Sequence, residues 1–183
     1  MDLNNFQEQM NHIEPGDHLI FLYDDKNFNE NMDILSSYIS SRIHKNEKCF
    51  YICNGSEIDL ILKRFQLSID LVNSINCGQL SILNKEEAYS KEGTFVPKKM
   101  IALLKTLSQD AIKEGYSAFS ITGEISWVLE YEDGFERIME YEYLLNKEIF
   151  GIYPVSAICR YNINKFSSKM IKNIIEVHPI VIS

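Results

Sequence analysis

The stretch Thr122-Gly123-Glu124-Ile125-Ser126-Trp127 gathers two hydroxyls, a carboxylate and the chain's single tryptophan. A carboxylate beside an indole can hold a small polar or cationic molecule, by hydrogen bonding, by charge, and by cation–π attraction to a methylated ammonium. Five further residues stand where apolar runs stop: Tyr23 and Asp24, Asn54 after Cys53, and Arg160 with Tyr161. Where such runs are parallel strands, their carboxyl ends converge on one edge, which is where open α/β sheets bind ligands. Aromatic walls with a few polar groups suit a small-molecule pocket. The expected ligand-binding set is therefore Tyr23, Asp24, Asn54, Glu124, Ser126, Trp127, Arg160 and Tyr161. A second reading stays open, in which Glu124 and Arg160 form a structural ion pair and Trp127 anchors the core.

Other chemistries fail on spacing. A phosphate-binding loop after the first strand needs G-x-x-x-x-G-K-[ST]. The chain there reads Tyr23-Asp24-Asp25-Lys26-Asn27-Phe28-Asn29-Glu30-Asn31, with no glycine and with carboxylates that repel phosphate. Neither G-x-G-x-x-G nor G-x-S-x-G occurs, and no serine or cysteine has a sequence-adjacent base, so no catalytic activity is expected. Cys49 and Cys53 share a strand face, but at about 13 Å apart they suit neither a disulfide nor one tetrahedral zinc. His12, His18, His44 and His178 show no paired ligand spacing. The expectation is no metal and no cofactor, with the cysteines as core thiols. His18 opens the first strand and is expected at the opposite edge from the pocket, as a hydrogen-bonded residue fixing the strand's entry.

The elements that must position these groups alternate. His18–Tyr23, Lys48–Cys53, Leu80–Leu83, 117–122 and Pro154–Tyr161 read as strands. Phe28, Met32, Leu35, Ile39 and Ile43 recur at helical spacing. Ser56 is a suitable N-cap for a helix from Glu57 to Phe65, and a short helix is expected around Asp70–Ile75. Residues 84–94 read as a polar loop. Pro97 opens a helix striped by Met100, Leu103, Leu104, Leu107 and Ala111, with Gly115 as its C′ residue. Asp133 and Glu136 resemble a capping box for a helix buried through Phe135, Ile138, Met139, Leu145 and Ile149. Met170, Ile171, Ile174 and Ile175 stripe a last helix, which His178-Pro179 ends before Ile180-Val181-Ile182. Continuously apolar strands alternating with amphipathic helices give an α/β fold of three layers, a mostly parallel central sheet with helices on both faces.

Composition bounds the rest. Hydrophobic residues make up 45% of 183 and the formal net charge is −8. Nucleic-acid binding draws on basic clusters that release counterions from phosphates, and none is present, so no direct nucleic-acid contact is expected. No apolar run approaches the roughly 20 residues that span a bilayer. Residues 1–17 form a polar lead-in with no signal-peptide character, and a single cytoplasmic domain is expected over 18–183. The segment Glu130–Glu148 carries seven acids against Arg137 and Lys147. Its simplest reading is a solvated helix face.

A family resemblance follows from His18…Tyr23-Asp24, Glu47-Lys48-Cys49-x-Tyr51-Ile52, Gly78-Gln79-Leu80, Glu114-Gly115-Tyr116, Thr122-Gly123-Glu124-x-Ser126-Trp127, Glu140-Tyr141-Glu142, Cys159-x-Tyr161 and His178-Pro179. Together they resemble the MEDS domain, a sensory domain of methanogen and methylotroph regulators, from about Gly16 to Ile182. Thr-Gly-Glu-x-Ser-Trp is the most specific part. The resemblance implies a non-catalytic sensor with a RecA/KaiC-like layout that lacks the Walker A loop. It implies a small organic ligand, such as a simple hydrocarbon or methyl derivative. Relatives are often fused to an output module, and no stretch here reads as one. The expected partner is thus a histidine kinase or transcription regulator acting in trans, with occupancy transmitted through a helix surface or a homodimer contact. Two alternatives remain: a protein-interaction module docking through the acidic helix, and a degenerate nucleotide-binding protein.

Overall fold

The computed structural model describes residues 12–67, 69–89 and 94–182. Residues 1–11 of the expected lead-in lie outside them. Six parallel strands form one sheet in the order β3-β2-β4-β5-β1-β6. They are β1 (His18–Tyr23), β2 (Lys48–Cys53), β3 (Leu80–Asn84), β4 (Phe119–Glu124), β5 (Val155–Asn162) and β6 (Ile180–Ile182). The helices are α1 (Phe28–His44), α2 (Ile58–Phe65), α3 (Ile69–Asn76), α4 (Lys85–Tyr89), α5 (Pro97–Lys113), α6 (Gly134–Glu148) and α7 (Ser168–Glu176).

Connections leaving β1 and β2 pass over one face, where α1, α2 and α3 bury Leu35, Ile39, Ile61, Phe65 and Leu71 against Leu19, Tyr51 and Ile158. Connections leaving β3, β4 and β5 pass over the other, where α5, α6 and α7 bury Leu104, Ile138, Leu145 and Ile174 against Phe119, Ala157 and Tyr161. The chain therefore reverses direction at the carboxyl ends of the central strands, the position at which doubly wound sheets form a crevice. All eight residues of β5 are buried. Alternation along that strand sends Ile158 and Arg160 to the α1 face, and Ala157, Cys159 and Tyr161 to the α6 face.

Several local expectations are corrected. β4 starts and ends two residues later than 117–122, so Thr122-Gly123-Glu124 lies within the strand. Gly123 lets it continue, because a Cβ there would stand 2.0 Å from the Tyr89 hydroxyl. Residues 85–89 of the expected loop are the helix α4, and residues 90–93 lie outside the described residues. Ser56 does not cap α2: a 3₁₀ turn, Gly55–Glu57, intervenes and α2 begins after Glu57. Asp133 stands at the N-cap of α6 but makes no capping hydrogen bond. Its carboxylate accepts instead from Arg137 Nε at 2.8 Å. Ile180–Ile182, to which the sequence reading assigns no element, adds β6 to the sheet beside β1. No helix among the described residues is long and apolar enough to cross a membrane.

Candidate functional site

The crevice at the carboxyl ends of β1, β2, β4 and β5 holds a cavity of about 50 Å³ on the α1 face. Tyr23, Tyr51, Glu124 and Arg160 supply its polar wall, and Phe28 and Met32 of α1 much of its apolar one. Glu124 ends β4 and is 2% exposed. Its Oε1 accepts from the Tyr23 hydroxyl at 3.1 Å and from the Ser126 N–H at 2.9 Å. Its Oε2 is buried and has no hydrogen-bond partner. Burial, then the neighbouring Glu124 carboxylate, push the Tyr23 phenol well above its ordinary range, so it stays a neutral donor.

Arg160 is the register partner of Glu124 on β5, yet the two do not form the ion pair that the sequence allowed. The guanidinium instead donates from Nη1 to the Tyr51 hydroxyl at 2.8 Å and from Nη2 to the Ile52 carbonyl. It also lies over the Tyr51 ring, 4.4 Å from the centroid. Burial raises the Tyr51 phenol to about 12, with Arg160 opposing the shift. A cation and a carboxylate thus face the same cavity, and neither neutralises the other by contact.

Tyr23, Glu124 and Arg160 of the expected set meet in this cavity. The other five serve elsewhere. Asp24 caps the 3₁₀ turn Asp25–Asn27 by accepting from the Lys26 N–H, and also accepts from Asn164. Asn54 stands at the start of the next 3₁₀ turn. The Ser126 hydroxyl accepts from the Asn162 N–H at 2.9 Å, tying the segment after β4 to the end of β5. Trp127 turns away, packs among Tyr89, Phe95 and Tyr131, and donates from Nε1 to the Glu124 carbonyl at 2.9 Å. It orients the Glu124 backbone rather than lining the cavity. Tyr161 points through the other face of the sheet.

There the structure gathers residues that sequence spacing did not connect. The Tyr161 hydroxyl donates to Glu142 Oε1. Glu142, on α6, is fully buried rather than part of a solvated face. Around its Oε2 stand His18 Nε2 at 3.1 Å, His178 Nε2 at 3.4 Å and Cys159 Sγ at 3.8 Å. Burial pushes the Glu142 carboxyl up, but the imidazoles of His178 and His18 outweigh it and hold it below the usual carboxylate range. Burial, then Glu142, push the Cys159 thiol well above its ordinary value. His18 does open β1 as expected, and its ring is stacked on Phe150 with centroids 4.4 Å apart. The one available signal was that Cys159 and Tyr161 must share a strand face.

Comparison with solved structures supports the fold. An uncharacterized Pyrococcus horikoshii protein, PH0321, crystallised with an unknown peptide, superimposes with a TM-score of 0.71 at 13% identity over 97% of this chain and 81% of that one. The KaiC-like protein PH0186 from Pyrococcus horikoshii OT3 gives 0.53 at 10% identity over 81% and 62%. The RecA/KaiC-like layout is thus shared without the phosphate loop. In sequence, 80 residues are 25% identical to the transcriptional repressor DcmR of Methylorubrum extorquens, covering 44% of this chain but only 30% of the repressor. The family match is far more extensive, running over residues 17–179, and the chain belongs to the MEDS family, the MEthanogen/methylotroph, DcmR Sensory domain.

Proposed function

We propose that this chain is a non-catalytic cytoplasmic sensory domain that binds a small organic molecule in the Glu124–Arg160 cavity. One observation carries the reading: a buried carboxylate oxygen, Glu124 Oε2, has no hydrogen-bond partner, and Glu124 is among the residues that line the cavity. A buried acceptor left unsatisfied costs about 1–3 kcal/mol or more, and a ligand donor would recover it. The space of about 50 Å³ is far below the roughly 300–1,000 Å³ of pockets for drug-sized ligands. It suits a molecule of a few heavy atoms, such as a simple methyl derivative with a hydroxyl or ammonium head. A nucleotide is too large for it.

Phe28, Asn31, Met32 and Leu35 of α1 line the same cavity, so occupancy would be read through that helix. The signal would pass to a kinase or transcription regulator in trans, to the extent that the ligand binds two states with different affinity. Calorimetric titration with methanol, methylamines, methylated thiols and nucleotides tests this. A small polar methyl compound should bind, and Glu124→Gln should weaken it about tenfold to a hundredfold, the value of one charged hydrogen bond. Silence across the small-molecule panel, or binding indifferent to Glu124→Gln, would overturn the assignment.

A further inference from the structure

The geometry points to a buried tetrahedral metal site of zinc type, formed by His18, Glu142, Cys159 and His178, on the opposite sheet face from the cavity. One ligand atom from each residue lies within 4.8 Å of the other three. Tetrahedral coordination at ordinary zinc–ligand lengths separates N from O by roughly 3.3 Å and either from S by roughly 3.6 Å. The observed separations from Glu142 Oε2 to the two Nε2 atoms are 3.1 and 3.4 Å. Sγ stands 3.5 Å from His18 Nε2 and 3.8 Å from Oε2. These four separations are within a few tenths of what one ion requires.

The hydrogen bonds around the cluster fix which atoms face inward. His178 Nδ1 lies 2.7 Å from the Ile174 carbonyl, which can only accept, so the proton sits on Nδ1. Asn146 Nδ2 donates to the Val177 carbonyl at 2.7 Å, which turns its Oδ1 toward His18 Nδ1 at 2.9 Å. His18 therefore also donates from Nδ1. Each imidazole therefore keeps Nε2 for the centre, where a bound ion would displace any proton it carries, and His178 Nε2 is buried with no hydrogen-bond partner. Glu142 is likewise oriented: its Oε1 accepts from Tyr161, leaving Oε2 for the ion. Carbonyls on the distal imidazole nitrogens and a donor on the carboxylate are the outer contacts that metal ligands use.

Charge favours the same occupant. With an ion bound, two imidazole lone pairs, the Glu142 carboxylate and the Cys159 sulfur, its proton released on binding, form an all-acceptor centre among residues at most 5% exposed. A divalent cation balances one carboxylate and one thiolate, leaving the buried site neutral; uncompensated buried charge is costly. The mixed N₂SO donor set excludes magnesium and calcium, which take oxygen ligands, and suits zinc or cobalt. Because the four residues come from β1, α6, β5 and the turn before β6, the ion would form with the fold and stabilise it.

The test uses the untagged full chain. Refolded with Co²⁺, it should develop intense visible d–d bands and a near-ultraviolet thiolate-to-cobalt band, saturating at one equivalent, and Zn²⁺ should bleach both. Cys159→Ser should abolish the thiolate band, whereas Cys77→Ser, at an exposed thiol, should leave it. Should Cys159→Ser fail to fold, elemental analysis and the melting temperature of the wild-type chain with and without chelator decide instead. One bound zinc and a fall in melting temperature on chelation are expected. Folded wild-type protein that takes up neither ion, or holds Co²⁺ without a thiolate band, would sink the proposal.

Discussion

The contact between Arg160 and Tyr51 allows the polar wall of the cavity to be weighed. Tyr51→Phe keeps the ring beneath the guanidinium but removes the hydroxyl that accepts from Nη1 at 2.8 Å. A hydrogen bond to a charged group is worth about 1.5–3 kcal/mol, the cost expected for this change. Arg160→Met removes the cation, leaves the Ile52 carbonyl without its donor, and strips Glu124 of its nearby positive charge. Breaking a buried charged network from one side costs about 3–5 kcal/mol. At about 2–4 °C per kcal/mol for a chain of this size, the melting temperature should fall by roughly 6–20 °C. The double variant should cost less than the sum of the two, by the roughly 1.5–3 kcal/mol that the hydrogen bond contributes. Urea denaturation, read by circular dichroism and by fluorescence of the single tryptophan, measures all four corners of the cycle. Additivity within about 0.5 kcal/mol would refute the reasoning, since the two side chains would then hold their places independently.

Three further outcomes are expected. Gly134→Ala would bring a Cβ within 1.8 Å of the Val128 carbonyl oxygen; as a backbone clash it should destabilise by about 1–3 kcal/mol in the same urea assay. Of the four free cysteines only Cys77 is exposed, and burial raises the Cys53 thiol to about 11. A disulfide reagent at pH 8 should therefore titrate one fast thiol in native protein and four in denaturant. Lys105 Nζ and Glu148 Oε2 pair at 2.6 Å, lowering the Glu148 carboxyl and raising the Lys105 amine, in each case chiefly through the mutual hydrogen bond. The Glu148 share of stability is present above its unfolded value near 4.5 and is lost as pH falls through the lower folded value. The Lys105 share is present below about 10.5 and is lost as pH rises through the higher folded value. Glu148→Gln should flatten both flanks of a melting-temperature profile, and an unchanged acid flank would count against the pair.

Much of the fold was legible because continuous apolar runs locate parallel strands: β1 and β2 keep their expected limits, and β5 shifts by one residue. β4 slipped because Thr-Gly-Glu reads as a strand end, whereas here the glycine makes room for Tyr89 across the sheet. α4, only five residues long, is too short to display a helical period. In the cavity, Glu124, Tyr23 and Arg160 were legible from their positions at strand ends. Trp127 was not, because the 3₁₀ turn Ser126–Glu130 decides where the indole goes. The second cluster was hidden for a different reason. Its four members come from separate elements, so no local spacing records that they meet.

The alternation of β5 has a genetic consequence. Arg160 meets the cavity from one face of the strand, while Cys159 and Tyr161 meet Glu142 from the other. Point substitutions at these positions can alter one face and spare the other, so the two sites are free to diverge separately. Insertion or deletion of a single codon in this strand does not have that freedom. A slip by one residue turns each following side chain to the opposite face, putting the guanidinium among the imidazoles and the thiol in the cavity. Length variation among descendants of this chain should therefore fall in the turns flanking β5, with the strand itself kept free of gaps.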